Sequence, residues 1–422
     1  MRLILFLLLG FYVSFSMSLE ELIRFSEEKN PKLAAKRYRI QSARLNLKAE
    51  RQLYFPEVFS LYKFSWHSER QSITIPPFGG LPAFEVSSSK RSHQSHQMGI
   101  RQTLYDGGLR SSRVSIGEGE VHISEKDYEE TRLEVKLELI RAYLSALSAK
   151  ELLEVAKKQK EAVEADLRQR EAFFREGLVA VTDVLQARVK LAEVERDLRK
   201  AEGDYAVALA DLSRLTGLEE ESLKNLTPPK LDLKGYSLDQ LLATTLEKRP
   251  IIKAFEERLK MKAFQKRAEL SQFYPKVFFE ALYNYSDQNP SLSPKGFFSF
   301  GAGISLNFQF LGPYYKTLSL EEESKSLKEE FKDVKEMLIL KVKTAYERLK
   351  TAEDNLKVAD EALKFAEEFY RLSLEQYRNQ LISGADLLQA EASLTQARKA
   401  RVITYYDLLR AYFELMREVG EL

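Results

Sequence analysis

Residues 297–313 read FFSFGAGISLNFQFLGP, from Phe297 to Pro313. From Phe298 to Phe310 every second residue is apolar: Phe298, Phe300, Ala302, Ile304, Leu306, Phe308 and Phe310. Between them stand Ser299, Gly301, Gly303, Ser305, Asn307 and Gln309, small or polar and none charged. Side chains alternate faces along a strand, so one face suits an apolar medium and the other suits water. Two architectures share that pattern. One is the wall of a water-filled membrane barrel, at about 10 residues per crossing. The other is a half-buried strand of a soluble sandwich. The next segment of chain decides between them: after Gly312-Pro313 comes a charged, helix-periodic run of more than sixty residues. A sandwich contains no such helix.

Working outward, the chain carries this unit twice. Leu19 to Leu53 reads as a helical run, opened by residues such as Asn30-Pro31, that stops at Tyr54-Phe55-Pro56. An aromatic strand comes next, over roughly Val58 to His67, with Tyr62, Phe64 and Trp66 on one side and Lys63, Ser65 and His67 on the other. A loop rich in Pro, Gly and Ser (Gln71 to Ser92) leads to a second strand, Met98 to Tyr105, closed by Asp106-Gly107-Gly108. A charged helix is predicted from about Leu109 to Arg175, broken at Glu176-Gly177 and resumed near Thr182 until Gly217. In the second half, Arg249-Pro250 and Phe273-Tyr274-Pro275 stand where Asn30-Pro31 and Tyr54-Phe55-Pro56 stood. Pro31 to Pro56 and Pro250 to Pro275 are each 25 residues apart. Strands near Val277–Ser286 and Phe298–Phe310 come after them, and Leu311-Gly312-Pro313 matches the Asp-Gly-Gly turn. VTDVLQAR (Val181–Arg188) aligns with GADLLQAE (Gly384–Glu391) at an offset of 203, which also carries Gly217 onto Gly420. The organisation is therefore a first repeat over 19–217 with a hairpin at 54–108, a linker over 218–237 containing Pro228-Pro229, and a second repeat over 238–422 with a hairpin at 273–313.

The predicted helix lengths fit one another. Each long helix of about 65 residues would span roughly 100 Å, and the shorter helices of about 30–35 residues roughly half that. Two short helices end to end therefore match one long one. Leu185, Val189, Ala192, Val194 and Leu198 recur at helical spacing with charges between them, the pattern of antiparallel coiled-coil packing.

Composition sets the address. The 422 residues include 65 Lys+Arg against 63 Asp+Glu, a net charge of +2 that gives no support for a nucleic-acid binder. The first residues, MRLILFLLLGFYVSFSMS, place Arg2 before an apolar Leu3–Val13 core and a small-x-small Ser16-Met17-Ser18 site. This reads as a secretory signal peptide over 1–18, with the mature chain from near Leu19; the rival reading is a retained anchor. No later segment reads as a transmembrane helix. There are no cysteines, which excludes disulfides, thiolate metal sites and lipidation of an N-terminal cysteine.

In its duplication, its two strand pairs ending in Gly turns, and its Gly-x-x-x-x-x-Asp-(Val/Leu)-Leu tip (Gly177 to Leu185, with Asp386 to Leu388 in the second repeat), the chain resembles the TolC-type outer-membrane efflux proteins. The resemblance covers essentially the whole mature chain. It implies a mainly α fold with a transmembrane β-barrel contribution, four strands per chain completing a twelve-stranded barrel in a homotrimer. It also implies an outer-membrane channel-tunnel of a Gram-negative-type bacterium whose helices lie in the periplasm. Such a tunnel passively conducts small molecules or secreted cargo from an inner-membrane pump through a periplasmic adaptor protein. Oligomerisation is required by physics as well: four strands cannot close a barrel, and open edges in lipid leave backbone groups unpaired at several kcal/mol each. The trimer comes from the resemblance.

The resemblance further implies an acidic ring at the inner end of the tunnel. Asp183 and Asp386 fall there, one per repeat, so threefold repetition would place six carboxylates around a narrow axis as a cation-selective constriction. The plainer reading is that each Asp caps the helix restarting after the break, and the two roles are compatible. Gln186 and Gln389 occupy the positions where relatives can carry a second acidic tier, so a single tier is expected. Tyr377 matches a tyrosine of the closed-state links and could bond a tip carboxylate such as Asp183; otherwise it is a packed coiled-coil residue. The linking arginine is replaced by Ile382, with Arg378 nearby but out of register. Gly107, Gly108, Gly312 and Pro313 are read as strand-to-helix turns needing positive or fixed φ. The tips around Gly177, Leu178, Leu381 and Gly384 are the expected adaptor contacts.

Enzyme chemistry finds no foothold. There are four histidines, His67, His93, His96 and His122; His93 and His96 stand in a Ser/Gln-rich loop or strand entry, with no nearby carboxylate at ligand spacing. No phosphate-cradling glycine loop or nucleophile elbow appears, so no catalytic residue, cofactor or metal is expected. A periplasmic adaptor would need compact domains of many short strands. The remaining alternative, an exported structural coiled coil or adhesin-like protein without channel activity, does not account for two amphipathic hairpins placed 219 residues apart.

Overall fold

The computed structural model describes residues 18–229, 235, 237–307, 311–379 and 381–422. The expected signal peptide at 1–17, linker positions 230–234 and 236, the strand end at 308–310 and tip residue Gln380 lie outside the described residues. The chain divides into two units that cut across the sequence repeats. One comprises residues up to Tyr38, Lys126–Lys253 and Lys332–Leu422; the other comprises Arg39–Glu125 and Ala254–Phe331. Each draws on both halves of the chain.

The first unit is helical. It contains α1 (Leu19–Lys29), the start of α2 (Pro31–Gln52), most of α3 (Leu109–Arg175) and α4 (Val181–Thr216). From the second repeat it takes α5 (Leu238–Lys248), the start of α6 (Pro250–Leu270), most of α7 (Leu311–Arg378) and α8 (Gly384–Val419). Leu139, Ile140, Tyr143, Leu144 and Leu147 form a stripe along α3 and are all buried, against Leu22 of α1, Leu212 of α4 and Leu409 of α8. A second cluster joins Leu241 of α5, Val342 of α7 and Leu415 and Val419 of α8. Burying each such leucine contributes about 1.5–3 kcal/mol. These stripes hold the unit together, since the exposed faces are charged.

The run expected over Leu19–Leu53 divides at Asn30, and its counterpart divides at Arg249. Proline has no N–H and its ring disfavours helix in the preceding residue, so Asn30 and Arg249 take extended backbone, with ψ 123° and 124°. Asn30 then caps α2, its Oδ1 accepting the Lys32 N–H at 2.8 Å. Arg249 does something else. It is only 2% exposed, donating to the carbonyls of Arg417 (2.8 Å) and Glu418 (2.9 Å) at the end of α8 and to Glu130 Oε1 (2.6 Å) on α3. Burial disfavours its charge, and the Glu130 and Glu418 carboxylates partly offset this. Gly420 ends α8 at φ 89°, as Gly217 ends α4 at φ 68°.

The second unit is built on an antiparallel sheet of order β1-β4-β5-β6. The strands are β1 (Glu57–Trp66), β4 (Ser92–Tyr105), β5 (Lys276–Ser286) and β6 (Gly296–Ser305). The hairpins of the two repeats join at β4–β5, with Ser95 opposite Ser286 and Arg101 opposite Glu280. One face carries Val58, Phe64, Trp66, Met98, Ile100, Phe298, Phe300 and Ile304, all exposed, with Trp66 at 68% and Phe298 at 74%. The opposite face is mixed, with Phe59, Leu61, Phe278, Leu282 and Phe297 beside a polar ladder in which Gln97 donates to Asn284 (3.0 Å) and Asn284 to Ser299 (2.9 Å), while Arg101 pairs with Glu280 at 3.0 Å. The alternation expected from the Phe298 stretch is present over the described pairing of β6, which runs to Ser305, and the expected end at Phe310 lies outside the described residues. β4 starts at Ser92, so His93 and His96 stand within a strand.

The stretch expected to be a plain loop also holds β2 (Ser72–Ile75) paired with β3 (Phe84–Ser87). Gly79 and Gly80 sit at φ 60° and 87° between Phe78 and Leu81, the geometry of a two-residue hairpin turn. The prolines around that turn (Pro76, Pro77, Pro82) hid the strands from a reading that takes proline clusters as loop.

Replacing Arg249 by Met leaves the half-buried Glu130 and Glu418 with Arg417 as their cation and takes a donor from the carbonyls at the end of α8. The expected cost is about 2–3 kcal/mol, read as a clear fall in the thermal midpoint of the detergent-purified protein. Asn30→Ala, which removes only a cap, is expected to cost about 1 kcal/mol. Equal effects at the two positions would show that their shared place in the repeat, and not the buried charge, sets stability.

Candidate functional site

The helical unit has two reversals, α3 to α4 and α7 to α8, and most of the residues singled out in the sequence fall on them. The first stops by chain geometry: Gly177 sits at φ 74°, its N–H donates to Phe174 O at 3.0 Å, and the Leu178 N–H donates to Phe173 O at 2.9 Å. Those two bonds satisfy carbonyls that the helix end would leave bare. At the second reversal the Leu381 N–H donates to Gln376 O at 2.9 Å, the same separation along the chain. The leucines just after each stop project outward, Leu178 at 64% and Leu381 at 72% exposure.

Each helix restarts with an Asp as its third residue. Asp183 Oδ2 accepts the Ala180 N–H at 3.2 Å. Asp386 Oδ2 accepts the Ser383 N–H (3.1 Å) and hydroxyl (2.7 Å), and Ser383 Oγ accepts the Asp386 N–H (3.3 Å), a complete capping box. Alanine at 180 offers no side-chain acceptor, so the first tip has half of this motif. The Ser383 hydroxyl, and then its backbone N–H, hold the Asp386 carboxyl below its ordinary 3.8. The capping role of both aspartates is thus a feature of the chain. It occupies Oδ2 and leaves Oδ1 of each without a hydrogen bond among the described residues. Behind them Val184 and Leu387 are buried, and Ala187 and Ala390 are fully buried, so both restarts are anchored in the same way.

Tyr377 is half-buried near the end of α7 and makes no hydrogen bond to Asp183 within the chain, among the described residues. Of the four residues read as strand-to-helix turns, Gly107 and Gly108 have φ 68° and 87°. A Cβ at Gly107 would lie 2.7 Å from Tyr274 Cβ and 2.8 Å from Ser271 O. Gly312 and Pro313 instead lie inside the first turn of α7, which starts at Leu311, and Gly312 is not left-handed. The correction has a simple cause: proline needs no donor in a first turn, so the helix takes in what looked like its preceding bend.

Two groups escaped the sequence reading. Asp106 is buried ahead of α3, accepts the N–H groups of Gly108 (3.2 Å) and Arg110 (3.1 Å), and pairs with the Arg110 side chain at 2.8 Å. The Arg110 guanidinium lies over the Tyr54 ring and donates to Thr103 O at 2.9 Å, tying the strand end to the helix start. An Asp four residues before an Arg was the available signal. The second group is Arg170, 2% exposed, paired with Asp166 at 2.7 Å and donating to Gly384 O at 3.3 Å. Gly384, expected on the adaptor-facing surface, is therefore covered by a guanidinium: a Cβ there would lie 2.7 Å from Arg170 Nη1.

Against known proteins, the model of the outer membrane efflux protein family matches residues 22–218 and 241–421. The chain is 26% identical over 248 residues to the pyoverdine export outer membrane protein OpmQ of Pseudomonas putida, covering 58% of this chain and 51% of that protein. It is 28% identical over 163 residues to the outer membrane protein TolC of Vibrio cholerae, covering 36% of this chain and 37% of that protein. These matches therefore span about half or less of each curated relative. The fold is similar to that of the outer membrane protein VceC of Vibrio cholerae, with TM-score 0.75 and 17% identity over 95% of this chain and 96% of that one.

Ser383→Ala is expected to weaken the α8 start by about 1 kcal/mol, read as roughly fivefold faster amide exchange in the first turn of α8. Acid should act similarly. Asp386 titrates below its ordinary value, so its capping contribution is complete above about 3.8 and is lost as pH falls through the lowered value. Exchange that ignores both changes would show that α8 is held by its packing alone.

Proposed function

The chain belongs to the outer membrane efflux protein family, and on that premise we propose that it is a channel-tunnel protein of the outer membrane, working as a homotrimer to which each copy gives four strands. The observation that carries this reading is the sheet. Its apolar face is exposed across all four strands, its other face is laddered by Gln97, Asn284 and Ser299, and β1 and β6 stand at its edges. In lipid those edges need partners, and further copies of the same sheet supply them.

The tips then form the periplasmic end. Capping leaves Oδ1 of Asp183 and of Asp386 available, and three copies bring six such groups to a single-tier constriction that favours cations. Because capping uses the other oxygen, one residue serves both the helix and the pore. Leu178 and Leu381 supply an apolar contact for a periplasmic adaptor protein, which connects the conduit to an inner-membrane pump. The pump supplies energy and the conduit is passive; no catalytic group or cofactor enters the mechanism. Tyr377 makes its gate link between chains, since within its own chain it forms no hydrogen bond to Asp183 among the described residues.

Planar-bilayer conductance of the purified oligomer tests the pore. Wild type should give small, cation-selective steps, and Asp183→Ala/Asp386→Ala should raise the conductance and lower the selectivity. Conducting steps that ignore the substitutions would return both aspartates to capping. Absence of conductance in folded protein would favour a structural coiled-coil protein. Separately, Leu178→Asp/Leu381→Asp should abolish capture of the adaptor while leaving bilayer conductance intact, and retained capture would move the adaptor surface elsewhere.

A further inference from the structure

Arg170 and Arg249 are the largest fully buried side chains among the described residues, and Arg170 lies within six residues of the end of α3. Its guanidinium lies against Gly384, the first residue of α8, where a Cβ would come within 2.7 Å of Nη1 and make the guanidinium shift. The contact joins the two helical hairpins of one chain. It also occurs once: the offset of 203 that superposes the repeats carries Arg170 onto Ser373 and Val181 onto Gly384. Neither Ser373 nor Val181 can reproduce it, so the duplicated halves have diverged at this point.

Two helical turns after Gly384, Glu391 borders a cavity of about 510 Å³ with Gln159, Ala162, Tyr370, Leu394 and Arg398. Glu391 Oε1 and Gln159 Oε1 are buried and have no hydrogen-bond partner among the described residues. The charged and titratable groups around Glu391 are Asp166, Arg170 and Lys158 on α3, with Glu151 and Glu154 further along the same helix. Lys190 faces it from α4, Tyr370 from α7 and Arg398 from α8. Asp166 already engages Arg170, so an ionised Glu391 adds a second carboxylate beside that pair, with its own Oε1 buried and free of any hydrogen bond among the described residues.

We propose that Arg170 is a positioning residue that latches the start of α8 onto the end of α3, and that Glu391, while it holds a proton, keeps the latch shut. Burial first, and then the Asp166 carboxylate, push Glu391 above its ordinary 4.5, while Lys190 and Arg170 pull it back in part. The packed tip therefore holds the proton more tightly than a loosened tip in which Glu391 meets water. Its stability declines as pH rises from 4.5 through the raised value. Acid closes the latch, and proton loss releases the α8 start, whose first turn holds both Gly384 and Asp386. The link to conduction rests on the reading of the tips as the periplasmic end of a channel; the latch itself does not.

The absence of cysteine permits a direct test. Gln169 and Gln389, both exposed, are changed to Cys and spin-labelled in the full chain, diluted with unlabelled chains, and the distance distribution is measured over a pH series rising from 4.5. Wild type should give a short, narrow distribution at the low end that lengthens and broadens as pH rises. Arg170→Met should lengthen it throughout, Gly384→Ala should do so by displacing the guanidinium, and Glu391→Gln should hold it short throughout. An unchanged distribution in Arg170→Met and Gly384→Ala, with helix content intact, would overturn the latch. A pH response that is absent in wild type, or retained in Glu391→Gln, would overturn the protonation control. If the distances behave as expected and the protein conducts nothing in a bilayer, the latch stands and the channel reading falls.

Discussion

A strand edge in lipid has one source of hydrogen bonds, another strand, and the sheet of this protein ends in two such edges. The whole layout of the hairpins answers that requirement. The chain provides two hairpins because it is duplicated, and it joins them at β4–β5, with Ser95 opposite Ser286, so that one copy contributes a continuous four-stranded segment. The strands are about as long as a tilted crossing demands, 10 residues in β1 and 11 in β5. Phe298, Phe300 and Ile304 would be a liability on a soluble protein; facing acyl chains they provide the favourable contact. The polar ladder on the opposite face is what a wet lumen allows.

In the helices, repetition supplies the plan and divergence supplies the specific features. Asn30 and Arg249 hold the same place before a proline, yet one caps its helix with an amide oxygen and the other drives a cation into the end of α8. Ala180 and Ser383 hold the same place before a restarting helix, and only the serine completes the capping box. Arg170 and Ser373 are likewise equivalent in the repeat, and only the arginine reaches across to another hairpin. The second tip is thus capped more fully and carries a link that the first cannot return. Two tips that look alike in sequence pattern are physically unequal.

Several features stood close to the surface of the sequence. Asp183 and Asp386 were legible because each is a carboxylate three residues into a restarting helix, at the first tip after a glycine that tolerates φ 74°. Gly107 and Gly108 were legible for the same reason. Gly312 and Pro313 misled, since a Gly-Pro pair suits either a bend or the first turn of a helix, and only backbone position separates the two. β2 and β3 were hidden by prolines beside a Gly-Gly turn. Arg170 and Glu391 gave no signal, because a charged residue on a long charged helix looks the same whether it meets water or a neighbouring helix.

The sequence by itself determined the class of fold: the alternation in the strands, the long helical periodicity and the duplicated spacing are all local or repeated along the chain. Local patterns suffice there because a strand's two faces and a helix's stops are set by residues a few positions apart. Only the tertiary structure decided which charges are buried. Arg249 meets Glu130 and Glu418 across more than a hundred residues of chain, and Arg170 meets Gly384 across 214. Electrostatic cost depends on the medium around a group, and that medium is made by distant segments. No reading along the chain could supply it.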